Sequence, residues 1–190
     1  MKKYIVTAIL ILITGIQLKA QKRIEQVFTS VPVTNGKVVF RQFIYTGSDL
    51  SAEQKYALLC QWSKDNYSGN PHLISMRFNN ENLSITVSSK VEFNLSGNNG
   101  GKNKKMLMSY RFDASITNAG CIFVVRDINY EQIDAEGNSA LKKIFTAEEM
   151  ITDTAIASSS GEQKELKLNL QKQTLTFVND LYNNLSSIFN

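Results

Sequence analysis

The stretch Leu83-Ser84-Ile85-Thr86-Val87-Ser88-Ser89-Lys90-Val91-Glu92-Phe93-Asn94-Leu95 decides the fold. Leu83, Ile85, Val87, Val91, Phe93 and Leu95 fall on one side of an extended chain, and Ser84, Thr86, Ser88, Lys90, Glu92 and Asn94 on the other. A period of two with this polarity is a strand with one dry and one wet face. Residues 104–117 repeat the pattern, with Met106, Met108, Tyr110, Phe112, Ala114 and Ile116 against Ser109, Arg111, Asp113 and Ser115. The connections Asn79 to Asn82 and Asn118 to Gly120 are short enough for hairpins. With flanking strands at about 72–79 and 120–131, the region reads as a four-stranded antiparallel meander.

Working outward, Val38 to Tyr45 is rich in β-branched and aromatic residues between Asn35-Gly36 and Gly47-Ser48-Asp49, which marks a further strand. A helix follows. Ser51 and Gln54 have the spacing of a capping box, and Ala52, Tyr56, Leu59, Cys60, Ser63 and Tyr67 recur on one side before the turn formers of Asn66 to Pro71. Beyond a loop with Glu136-Gly137-Asn138, Thr146-Ala147-Glu148-Glu149 opens a short helix to about Ala157, which Ser158-Ser159-Ser160-Gly161 ends. The last segment carries Leu166, Leu170, Phe177, Val178, Leu181, Leu185 and Ile188 on one helical stripe. Leu166, Leu168 and Leu170 also alternate, so its first third could be extended. There is no internal repeat. A sheet with one dry face must cover that face, and the amphipathic helices are the elements available. The expected fold is a two-layer α+β domain: an antiparallel sheet of about five strands, in the order β-α-β-β-β-β-α, with the helices on one face.

Met1-Lys2-Lys3, the uncharged run Tyr4 to Ile16 and the small residue Ala20 before Gln21 form the pattern of a secretory signal peptide. The uncharged run is short of the roughly 20 residues that span a bilayer. No cysteine stands near the cleavage point to carry a lipid. The expectation is a protein of the periplasm or outside the cell, without a stable membrane anchor after cleavage. The chain then divides into a signal peptide (1–20), an N-terminal segment (21–35) and one domain (36–190). Without residues 1–20, the 21 basic and 17 acidic groups become 18 and 17. A nearly balanced domain has no electrostatic footprint for a polyphosphate backbone, so nucleic acid is excluded as a partner. Lys102, Lys104 and Lys105 read as a solvated loop tip.

Gly36-Lys37-Val38-Val39-Phe40, Tyr56 to Trp62, Thr146-Ala147-Glu148-Glu149-Met150-Ile151-Thr152-Asp153 and Thr174-Leu175-Thr176-Phe177-Val178-Asn179-Asp180-Leu181 carry a resemblance over about residues 30 to 189. The chain resembles a family of exported bacterial proteins of unknown function with a TATA-binding-protein-like (TBP-like) fold, found mainly in Gram-negative gut and environmental bacteria. The order of elements is similar to one half-repeat of that fold. The resemblance implies the fold and export; it brings no activity, cofactor or catalytic residue. The namesake binds DNA through its sheet. Here Glu92, Asp113 and Asp127 interleave with Lys90, Arg111 and Arg126, and the acids would repel phosphate.

His72 is the only histidine, which leaves a histidine-based triad or metal site one residue to build on, and it reads as a surface or strand-end side chain. No P-loop, GxGxxG, HExxH or GxSxG pattern occurs. No metal or cofactor is implied. Cys60 lies on the apolar helix stripe and Cys121 at the start of a strand. An oxidising compartment would permit a bond across their 61-residue separation, which the chain-entropy account values at up to about 4 kcal/mol. Buried free thiols are equally natural. Trp62 reads as a core or border residue. Lys90, Glu92, Arg111 and Asp113 on the wet face could form a cross-strand ladder of opposite charges, or solvated pairs worth a few tenths of a kcal/mol each.

These features point to a non-enzymatic exported domain that binds a protein or an envelope polymer through its sheet face or loop edges. A second reading is a helix-grip carrier, in which the sheet wraps a long helix around an apolar cavity for a small ligand. A third is a glycan hydrolase using two acids such as Glu92 and Asp113.

Overall fold

The computed structural model describes residues 26–47, 49–95, 104–133 and 143–189. The segment 1–20 read as a signal peptide, the Glu136-Gly137-Asn138 stretch and Lys102 lie outside these, as does the side chain of Lys104.

The chain enters through a two-residue hairpin. β1 (Val33–Thr34) pairs with β2 (Lys37–Val38) across Asn35 and Gly36, whose φ values of 52° and 74° are those of the tight turn that Asn-Gly favours. The strand expected over 38–45 is therefore divided, and its main part is β3 (Phe40–Tyr45). Helix α1 (Ala52–Tyr67) starts at the expected box: the Gln54 amide donates to Ser51 Oγ at 3.2 Å and the Ser51 amide to Gln54 Oε1 at 2.8 Å. The meander follows as β4 (Leu73–Asn79), β5 (Ser84–Leu95), β6 (Lys104–Thr117) and β7 (Gly120–Ile133). Three residues, β8 (Ile144–Thr146), add a strand that the sequence reading did not contain. The sheet is antiparallel, in the order β3-β7-β6-β5-β4, with β8 paired to the second half of β7.

The short helix expected over 146–157 is two pieces, α2 (Ala147–Met150) and α3 (Asp153–Ala157), because Thr152 takes an extended conformation and caps the second. The final segment is one helix, α4 (Gly161–Ser186), helical from its first residue rather than extended over its first third. At 26 residues it is about 39 Å long.

Both long helices lie on the dry face. Val87, Met108, Phe112, Phe123, Val125 and Tyr130 are fully buried in the sheet, and Leu59, Leu170, Val178 and Leu185 are fully buried on the helices. The Phe112 ring lies 5.7 Å from Trp62 and 5.4 Å from Phe123. Phe93 and Tyr110 meet Phe177 at 6.5 and 4.9 Å. Val87, Phe93, Met108 and Phe112, which a carrier would need along a hollow, are thus closed over by helix side chains. Trp62 is a core residue and donates its indole N–H to Asn184 Oδ1 at 2.6 Å.

Several polar groups inside this layer are partnered, whereas Thr46 Oγ1, just past the end of β3, is buried without a hydrogen-bond partner among the described residues. The Tyr130 hydroxyl and Thr174 Oγ1 are 2.7 Å apart. Buried Lys55 reaches from α1 to the Asn118 carbonyl at 2.9 Å and ties the helix to the β6–β7 hairpin. Asn179 treats Phe28 as a strand would: its Oδ1 accepts from the Phe28 amide and its Nδ2 donates to the Phe28 carbonyl, both at 2.9 Å. This seats the Phe28 ring edge-on to Phe40, at 5.3 Å. Asn179→Ala strands those two backbone groups, and we expect a loss of about 2 kcal/mol, read as a lower urea midpoint and faster proteolysis near Phe28. An unchanged midpoint would contradict this role.

Candidate functional site

Residues opposite one another across a pair of strands share a face, so the register defines the open side of the sheet. One row runs Arg41, Val124, Asp113, Thr86, Arg77 from β3 to β4. The next contains Arg126, Arg111, Ser88 and Ser75. Hydroxyls stand between the charges: Ser84, Thr86, Ser88, Ser109, Ser115 and Thr117 all belong to this face.

Asp113 organises the centre. Its Oδ1 accepts from Thr86 Oγ1 at 2.7 Å and from Arg111 Nε at 3.1 Å, and its Oδ2 accepts from Arg126 Nε at 2.8 Å. Arg111 and Arg126 are directly opposite each other, an unfavourable placement for like charges that the carboxylate between them offsets. Partial burial pushes the Asp113 carboxyl up, but the bonds from Thr86, Arg126 and Arg111 together outweigh it and hold the group below its ordinary range. A carboxyl depressed by folding contributes stability above the unfolded value, near pH 4, and that contribution is lost as pH falls below it. Urea titrations from neutral to acid pH should show this loss in the wild type and a shallower acid slope in Asp113→Asn. Equal slopes would contradict the arrangement.

The four residues expected to form a ladder all lie on the open face, but the register separates them. Arg111 and Asp113 bond along β6. Glu92 pairs with Lys105 at 2.8 Å, and Lys90 approaches Glu131 at 3.9 Å. Sequence reasoning left out Thr86, Arg126, Lys105 and Glu131 as partners. Their contacts depend on register, and on β7 also on a bulge: Asp127 takes φ 55° where Ser109 and Arg111 oppose Asn129 and Arg126. Glu92 opposes Leu107 and Asp113 lies six residues further along β6, so the two carboxyls are about 20 Å apart at strand spacing, outside the roughly 5 to 9.5 Å in which glycosidase acids cooperate.

Cys60 and Cys121 are free thiols rather than a disulfide. Cys121 sits buried on β7 opposite Ile44 and Ile116, its Sγ 3.7 Å from the Ile122 carbonyl, and burial pushes its thiol up to about 12. It is an inert core group. His72 is exposed in the turn before β4. Among the described residues no three His, Cys, Asp or Glu side chains converge as metal ligands would, and no helix is long and apolar enough to cross a membrane. Concavities occur at the margins of the layers. One of about 480 Å³ lies between the end of β5 and α4, over Phe93 and Phe177. Another, of about 310 Å³, lies between β2, β7 and α2 beside Asp127 and Glu148.

No protein-family model matches the chain, and no curated protein matches it. Two solved structures do. A TBP-like protein from Parabacteroides distasonis superposes with a TM-score of 0.66 at 22% identity, over 83% of this chain and 96% of that one. A DUF4468 family protein from Bacteroides ovatus gives 0.66 at 19% identity, over 84% and 90%. With the six-stranded antiparallel sheet and its one-sided helices, this likeness shows that the chain has the TBP-like α+β fold.

Proposed function

We propose that the protein is a non-enzymatic binding domain of the bacterial envelope, exported by its N-terminal segment, with the open sheet face as its contact surface. The observation that carries this reading is the face itself. A wide sheet has all its long helices on one side, and on the other it presents guanidinium, carboxylate and hydroxyl groups fixed by mutual bonds. Fixed polar groups on strands form a pre-organised surface that loses little freedom on binding. The buried positions of Val87, Phe93, Met108 and Phe112 weigh against the carrier reading.

A photo-crosslinking side chain placed at Ser88, on the open face, should give adducts in the producing cell, whereas one at Lys164, exposed on α4, should not. Adducts only from Lys164, or from neither, would overturn the assignment. Export has its own check: the intact mass of protein recovered from the envelope fraction should correspond to a chain starting at Gln21. Full-length protein confined to the cytoplasm would remove the envelope from the proposal.

A further inference from the structure

We infer that the row from Arg41 to Arg77, together with the Arg111–Arg126 pair of the adjoining row, binds a sparsely charged acidic glycan laid across the strands. The inference rests on the open face being the binding surface and adds the chemistry of the partner.

Three observations carry it. The first is the held pair. Arg111 and Arg126 both spend their Nε on Asp113, one on each oxygen. Each guanidinium is thereby anchored through its Nε, while the side chains remain 39% and 38% exposed. Two guanidiniums fixed side by side form a fork suited to a planar carboxylate. A further, long contact runs 3.8 Å from Arg126 Nη1 to Asp127.

The second observation is the charge along the row. Arg41 and Arg77, both exposed, lie on the outermost paired strands of the same row. Four strand spacings separate them, about 19 Å, with the held pair in the adjoining row on β6 and β7, two of the strands that lie between. This end of the face thus sets four guanidiniums against Asp113 and Asp127, whereas at the other end Lys90 and Lys105 are balanced by Glu131 and Glu92. The excess is positive but thin and broken by acids. A dense polyphosphate would meet Asp113, Asp127 and Glu92; a polymer with widely spaced carboxylates would not.

Third, side-chain hydroxyls stand among the cations, Thr86 in the first row and Ser88 and Ser75 in the next, donors and acceptors that match the neutral hydroxyls of a sugar chain. At the β3 edge Tyr45 is 80% exposed and packs edge-on to Phe43 at 4.8 Å. The two give an apolar platform beside Arg41 of the kind a sugar ring can lie on.

The test is a binding titration of the mature protein at low salt with three probes: hyaluronan oligosaccharides (one carboxylate per disaccharide), neutral dextran oligosaccharides, and oligothymidylate. Hyaluronan should bind saturably and more weakly as salt rises, and both other probes should bind at least about tenfold more weakly, the worth of one charge-assisted contact. Arg111→Gln and Arg126→Gln should each weaken hyaluronan binding by about the same factor. Arg41→Gln and Arg77→Gln, at exposed positions with little call on stability, should weaken it too, while Lys164→Gln leaves it unchanged. Absence of hyaluronan binding, equal binding of dextran or oligothymidylate, or indifference to all four arginine substitutions would overturn the inference. If adducts still form from Ser88 in cells, the binding face stands and only the glycan is lost; if they do not, both fall together.

Discussion

Phe112→Ala should lower stability by about 3–5 kcal/mol, a large share of the roughly 5–15 kcal/mol that keeps a domain folded. Phe112 is fully buried on β6, one of the inner strands, between Val87 on β5 and Val125 on β7. Its ring touches Trp62 from the helix layer and Phe123 from the sheet. Truncation therefore opens a void where three strands and α1 meet, and close-packed neighbours refill such a void only in part. Ser115→Ala, three residues along β6 on the opposite face, should stay within about 0.5 kcal/mol. Urea unfolding of the two variants reads both values. A Phe112→Ala cost under about 1 kcal/mol would mean that this point is not the interior.

Gly120→Ala should be as damaging for a different reason. A Cβ at Gly120 would collide with the backbone carbonyl oxygen of Ile44 and come within 2.9 Å of the Phe43 ring. The obstacle is main chain, so it cannot be relieved by a rotamer change, and β3 has to move off β7 at the Tyr45–Gly120 end of their ladder. We expect about 3 kcal/mol or more, with amide exchange of the β3 residues accelerated beyond that of β5 and β6. If β3 keeps its protection while global stability falls, the collision is being absorbed elsewhere.

The two central strands were legible because each is long and half buried, so alternation alone placed Val87, Met108 and Phe112 on one side and Thr86, Arg111 and Asp113 on the other. The capping boxes at Ser51 and Thr146 were equally plain, since their chemistry is local. What stayed hidden was set by non-local geometry. On β7, Cys121, Phe123 and Val125 are buried at odd positions, but after the bulge at Asp127 the buried residues are Ile128 and Tyr130. A strict period of two would put Glu131 in the core. β8 has three residues and exists because β7 has room beside it beyond β3. The Asp113 cluster needed the register, which brings Arg126 from β7 and Thr86 from β5 to one carboxylate. Asn179 reads as an ordinary polar residue of α4; only the fold sets it against Phe28.

Leu107 and Met108 are neighbours on β6 that point to opposite sides of the sheet, Leu107 half-buried on the open face and Met108 fully buried under the helices. Hydroxyl-radical footprinting of the native protein reads both at once. A thioether is by nature the more easily oxidised group. A sheet sealed on one side and open on the other predicts label on Leu107 and none on Met108 until the protein unfolds. Met108 oxidised as readily as a free methionine, with Leu107 protected, would show that the sides are reversed or that the covered side is hollow.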